Sequence, residues 1–111
     1  MEDNINSLWI NKIGDRIVGL ARLVQDGPMK VRLVYFHIDP EWCHTKIPEK
    51  LLRTIQNFCR DHGGLKMILS SHTLPPWLLT LLNHNGFRFV KKNRHDFILV
   101  SNHAIKHAER N

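Results

Sequence analysis

Residues 38–52 read Ile-Asp-Pro-Glu-Trp-Cys-His-Thr-Lys-Ile-Pro-Glu-Lys-Leu-Leu, and this run constrains the fold more than any other part of the chain. An apolar, β-rich stretch enters it, two prolines bracket it, and an amphipathic pattern leaves it, so a strand must turn a corner straight into a helix. The first turn of a helix carries unpaired N–H groups and the positive end of the backbone dipole, so such a corner has the geometry of an anion site. Phosphate-gripping loops are usually rich in glycine, which lets the backbone approach the ligand closely. Here the corner carries Cys43, His44, Thr45, Lys46 and Pro48 instead.

The helix that follows is the clearest element. Over residues 48–62 the apolar positions Leu51, Leu52, Ile55, Phe58 and Cys59 recur at helical spacing, while Lys50, Arg53, Gln56, Asn57, Arg60 and Asp61 take the other side. Pro48 fits the first turn, where a missing N–H costs nothing, and Gly63-Gly64 marks the stop. Upstream, residues 8–13 and 16–24 are β-rich runs joined by Gly14-Asp15, a two-residue hairpin signal of type II′. Asp26-Gly27-Pro28 supplies another turn, and residues 31–38 are apolar at nearly every position, which predicts a central strand covered on both faces.

Downstream, residues 65–69 predict a short buried strand parallel to the one before the helix, reached by a right-handed crossover. Residues 73–76 open a second helix that runs to Asn83 or His84, with Gly86 behind it. Leu78, Leu79, Leu81 and Leu82 give that helix a broad apolar face, read as core, and Trp42 and Trp77 are read as packing near the two helix starts. Residues 87–90 and 95–100 close the sheet as a hairpin around the basic turn of residues 88–95, and Ser101 is placed to cap a terminal helix through Arg110. The order is β-β-β-α-β-α-β-β, a mixed sheet with two main helices, and the class is α+β.

Composition sets the limits. With 111 residues the chain is expected to form one domain, and 42% apolar residues with three Trp and five Phe exclude a disordered chain. No apolar run reaches membrane-spanning length, and the start lacks the order of a signal peptide, so the expectation is a cytoplasmic protein with no membrane partner. Two cysteines, one in the corner and one on the apolar helix face, predict reduced thiols. The net charge of +6 sets the sign of partners and not their identity. The basic turn, with Lys91, Lys92 and Arg94, is read as a solvated hairpin tip and not as a nucleic-acid contact, because no aromatic residue interleaves its charges.

No metal site is expected among the eight histidines. His103 and His107 are four residues apart without the Glu of a zinc hydrolase, and Cys43-His44 with His62 or His72 lacks a second Cys at zinc-knuckle spacing.

Four segments, Ile17-Val18-Gly19-Leu20-Ala21, Phe36-His37-Ile38-Asp39-Pro40-Glu41-Trp42, residues 47–52 and Asn85-Gly86-Phe87-Arg88-Phe89-Val90, together resemble the GCN5-related N-acetyltransferase (GNAT) superfamily. They fall in its order and near its spacings over residues 7–100. The resemblance implies acetyl-CoA or CoA as cofactor, with Phe36, Ile38, Cys43, His44, Thr45, Lys46 and Ile47 as the residues around it. It also implies that strand amides at Phe36 to Ile38 hold the thioester oxygen while an amine attacks directly.

The signature departs from the family at each key place. Its Arg or Gln, Gly, and Gly or Ala positions fall on Cys43, Lys46 and Pro48, its thiolate-protonating Tyr on Leu82, and its helix-opening Asn on Pro75. Pro48 removes a backbone donor, and the ammonium of Lys46 offers an ionic contact in its place. The remaining titratable groups are His37, which suits a general base beside the strand splay, and the chain's one tyrosine, Tyr35. For His37 the alternative is a half-buried strand residue bonded to backbone or water. Two readings therefore stand: an acetyltransferase-like enzyme, and a non-catalytic module that keeps the fold without the cofactor.

The family begins with a strand and two helices on the acceptor side, and this sequence starts at the equivalent of its second strand. The expectation is a homo-oligomer or a partner protein covering the N-terminal hairpin.

Overall fold

A computed structural model describes residues 5–71, 75–93 and 96–101. Its elements run β1 (Asn6–Ile13), β2 (Arg16–Gln25), β3 (Lys30–Ile38), a 3-10 turn (Pro40–Trp42), α1 (Ile47–Asp61), β4 (Lys66–Ser71), α2 (Pro76–His84), β5 (Phe87–Asn93) and β6 (Asp96–Ser101). The expected order of strands and helices is reproduced, and the 3-10 turn is an addition to it. The six strands form one sheet in the order β1-β2-β3-β4-β6-β5, with β3 and β4 parallel and every other neighbouring pair antiparallel.

The β1–β2 hairpin turns at Gly14, whose φ of +62° lies in the left-handed region that glycine enters without steric cost. Two bulges then shape the first three strands. Val18 is the extra residue of β2 against β1, and Val34 is the extra residue of β3 against β2. Gly19 pairs with both Asn11 and Ile38, and a Cβ there would sit 3.2 Å from the Asn11 Cβ and from the Ile38 Cδ1. That close approach explains the Val-Gly pair of the sequence.

Both helices pack on one face of the sheet. Leu51, Leu52, Ile55 and Cys59 of α1 and Leu78 and Leu82 of α2 join Ala21, Leu23, Leu33, Met67, Leu69 and Phe87 in a single core. Trp9 of β1 meets Phe58 of α1 edge to face, with ring centroids 5.2 Å apart. This layering corrects the reading of β3. Among the described residues the strand is central in the sheet but covered on one face only, and Val34, Tyr35 and His37 are exposed. Its apolar run includes the bulge residue Val34 and side chains exposed on the outer face.

Gln56, assigned to the polar side of α1, is buried, and its Nε2 donates to the Asn85 carbonyl at 2.6 Å. Asn85 caps α2 and donates in turn to the Leu81 carbonyl, so this chain of bonds pins the two helices together. A buried amide with a partner is worth more than its surface counterpart, because removal strands the other group. Of α2's apolar face, Leu78 and Leu82 are buried as expected, and Leu79 is exposed. Ser101 ends β6. The terminal helix, His103 and His107, His72, Thr73 and Leu74, and the tip of the basic turn at Arg94 and His95 lie outside the described residues.

Leu52→Ala is expected to cost about 2–5 kcal/mol in chemical unfolding. Arg53→Ala is expected to stay within about 0.5 kcal/mol. Gln56→Ala is expected to cost about 1–3 kcal/mol because it orphans the Asn85 carbonyl, and a loss as small as that of Arg53→Ala would show that this bond contributes little.

Candidate functional site

The site begins where β3 leaves β4. Only Lys30, Val31 and Arg32 of β3 pair with β4, at Lys66, Met67 and Ile68. The Val34 bulge comes two residues later, and from there β3 follows β2 to Ile38 while β4 follows β6 to Ser71. The backbone groups that β3 turns toward β4 beyond Arg32 therefore lose their strand partner and line a gap. Phe36 and Ile38 point to the helix side of this gap, Ile38 in the core and Phe36 packed against it. Tyr35 and His37 point to the opposite face, where their rings stack with centroids 6.2 Å apart. Both are exposed.

The corner is built by its own polar groups. Asp39 caps the 3-10 turn by accepting the Glu41 N–H at 3.1 Å, and it accepts from Arg16 of β2 at 2.8 Å. The Glu41 N–H, followed by the Arg16 guanidinium, holds the Asp39 carboxyl below its ordinary value. That contribution is present above the usual carboxylate range and is lost as pH falls through the lowered value. The tie of the corner to β2 thus persists at mildly acid pH.

Most donors of the loop are used within it. The Cys43 and Thr45 N–H groups bond to Pro40 and Trp42, and the Ile47 N–H bonds to Thr45 Oγ1 at 3.2 Å. The Lys50 N–H bonds to Lys46, and Pro48 has none to give. Among the described residues, the amides of His44, Lys46 and Glu49 remain without an acceptor. Lys46 occupies the N-cap of α1 with no side-chain cap bond of its own, and its side chain is exposed.

Between the start of α1 and the length of α2 lies a groove of about 380 Å³. Its walls include Cys43, His44 and Thr45 from the corner, Glu49 from α1, and Trp77 and His84 from α2. Three of the expected cofactor residues meet here, while Lys46 and Ile47 stand beside the groove and Phe36 and Ile38 line the strand gap. Glu49 and His84 escaped the sequence reading as site residues and Trp77 was read as packing alone, since two helices far apart in the chain create the groove and no local spacing signals it. Trp77 directly after Pro75-Pro76 was the one available hint. Among the described residues no group of His, Cys, Asp or Glu is placed to hold a metal ion. His62 ends α1 against Phe58, a helix length away from Cys43.

No family model matches the chain. It is 31% identical over 97 residues to N-acetyltransferase 8 of Homo sapiens, a match covering 83% of this chain and 41% of that protein. It is 29% identical over 87 residues to N-acetyltransferase 8F1 of Rattus norvegicus, covering 74% of this chain and 39% of that one. The chain thus spans about two-fifths of these relatives' length. Among solved structures, the PaiA N-acetyltransferase of Thermoplasma acidophilum in complex with coenzyme A superposes with a TM-score of 0.77 at 22% identity, over 86% of this chain and 60% of that one. A GNAT family acetyltransferase of Elizabethkingia anophelis with acetyl-CoA bound gives 0.73 at 15% identity, over 86% and 74%.

The two thiols differ in setting. Cys43 is partly exposed beside the Pro40 carbonyl, whereas burial pushes the Cys59 thiol from 9.0 up to about 12. The native chain is expected to react once with a thiol reagent near neutral pH, at Cys43, with Cys59 reacting only on unfolding. Two equal reaction phases without denaturant would contradict the buried placement of Cys59. The chain has the fold of the GCN5-related N-acetyltransferase superfamily.

Proposed function

We propose that the chain is an acetyl-CoA-dependent N-acetyltransferase domain with a weakened hold on its cofactor. The observation that carries this reading is the parting of β3 and β4 in the stretch that leads into the α1 corner, with the α1–α2 groove on the helix side of the sheet and His37 on the opposite face. It is supported by neighbours of the same fold that are described with coenzyme A or acetyl-CoA, and by relatives named as N-acetyltransferases.

Beyond Arg32 the β3 backbone has no pairing with β4, which leaves strand amides for a thin chain to bond. At the diphosphate the residues present offer the amides of His44, Lys46 and Glu49 with the Lys46 ammonium, where the family offers a glycine-rich cradle. Acetyl-CoA, when bound, supplies an acetyl group activated as a thioester. Strand amides from Phe36 to Ile38 orient the carbonyl oxygen, His37 accepts the proton of the attacking amine, and Tyr35 steadies the His37 ring by stacking.

Two features favour the second reading, a module that binds without catalysis. Leu82 is fully buried where the family places its tyrosine, so no proton donor stands there, and the Glu49 carboxylate faces the groove and repels an anion. The acceptor amine belongs to neither reading.

Calorimetric titration with acetyl-CoA and CoA, coupled to a thiol-release assay over a panel of amines, separates the two. The expected dissociation constant lies above about 10 μM, a binding free energy weaker than about −7 kcal/mol. Pro48→Ala, which restores an amide donor, is expected to tighten binding, and Lys46→Ala to weaken it several-fold at low salt. Turnover abolished by His37→Ala with unchanged affinity supports the enzyme. Saturable binding without release of thiol supports the module, and low-micromolar or tighter binding would show that the lost glycines matter little.

A further inference from the structure

The outward face of α1 carries a row of bases. Lys46, Lys50, Arg53 and Arg60, with Asn57 between the last two, are all exposed. At 3.6 residues per turn they fall within an arc of about 80°, opposite the buried stripe of Leu52, Ile55 and Cys59. The row is narrow, and from Lys46 to Arg60 it is about 21 Å long.

This row works against the helix that bears it. None of the four cations has a carboxylate at ion-pairing distance among the described residues. Lys46 and Lys50 are four positions apart and Lys50 and Arg53 three, so like charges neighbour one another along the helix, and Lys46 at the N-cap opposes the backbone dipole. A row of cations that weakens its own helix and finds no counter-charge within the chain is suited to an anion outside it.

The edges of the row select the anion. Glu49 lies on one side and Asp61 on the other, both exposed. A lipid surface or a nucleic-acid duplex is broad and anionic throughout, so it meets these carboxylates together with the bases. On α1 there is neither an exposed large apolar side chain to enter a bilayer nor an exposed aromatic ring on which unpaired bases would stack. A single row of carboxylates passes between Glu49 and Asp61. Carboxylates repeating every three or four residues on a second helix share the rise of α1 and stay in step with the bases along it. A second copy packed through the same helix would bring cations against cations.

We propose that the outward face of α1 docks an acidic helix of a partner protein through one row of Asp and Glu side chains. The proposal does not rest on the acetyltransferase reading, and of its residues only Lys46 also belongs to the cofactor corner.

Three dye-labelled synthetic helices test it by fluorescence anisotropy against the full chain at moderate salt: one with Glu in a single row, one of the same composition with the Glu scattered around the helix, and one with Gln in place of each Glu. The single-row Glu helix is expected to bind at least tenfold more tightly than either control. Arg53→Gln combined with Arg60→Gln should remove that preference, whereas Lys12→Gln combined with Arg22→Gln, an equal change of charge on β1 and β2, should leave it, with an unchanged thermal melt confirming that each variant folds. Equal binding of the single-row and scattered helices, or binding of none, overturns the proposal. So does tighter binding of a DNA duplex or of phosphatidylserine vesicles that the Arg53 and Arg60 changes abolish, which would make the occupant a nucleic acid or a lipid surface.

Discussion

Everything distinctive in this fold depends on how briefly β3 and β4 stay together. Three parallel pairs join them, the Val34 bulge follows, and the strands separate along different neighbours. A bulge increases local twist and bends its strand, so β3 leaves the plane that β4 continues. The gap leaves strand amides without partners, which in a packed domain is tolerable only where water or a ligand reaches them. The same divergence fixes where α1 starts, since the chain leaves β3 at Ile38 and turns through Pro40–Trp42 at the mouth of the gap. Two helices pinned to each other by Gln56 and Asn85 then hold the helix-side wall in place.

At the corner, stability and anion binding draw on the same atoms. Each loop N–H that bonds inside the loop contributes about 0.5–1.5 kcal/mol to folding and is withdrawn from any phosphate. A glycine-rich cradle leaves such groups unpaired until a ligand arrives. This chain commits Cys43, Thr45 and Ile47 to internal acceptors, gives up a donor at Pro48, and anchors the turn to β2 through Asp39 and Arg16. The result is a rigid corner whose remaining attraction for anions rests on three amides, the helix dipole and Lys46.

What was legible in the sequence follows from the range of the interactions involved. The α1 stripe was read correctly because helical periodicity is local, and the strand order followed from turns at Gly14 and Gly27. Gln56 was misassigned because its partner lies 29 residues away, and a polar residue on a helix reads as solvent-facing until that partner is known. β3 was read as covered on both faces because an apolar residue looks alike whether buried or waiting for a partner. The residues of the α1–α2 groove were missed for a related reason: Glu49 and His84 acquire a shared role only after both helices land on one face. The family resemblance carried the fold where periodicity could not, since it rests on ordered pieces such as Val18-Gly19 and Ile38-Asp39-Pro40-Glu41-Trp42.

The two faces of the sheet divide the chemistry between them. The groove lies on the helix side of the sheet, whereas the rings of His37 and Tyr35 lie on the opposite face. Ile10, Leu20 and His37 form one row across three strands, so a cover over Ile10 reaches His37. Water in an open cleft screens the dipoles that a transfer reaction needs, and covering that row removes it. The apolar side chains of this row and the imidazole at its end are therefore parts of one surface: whatever covers the first also sets the solvation of the second.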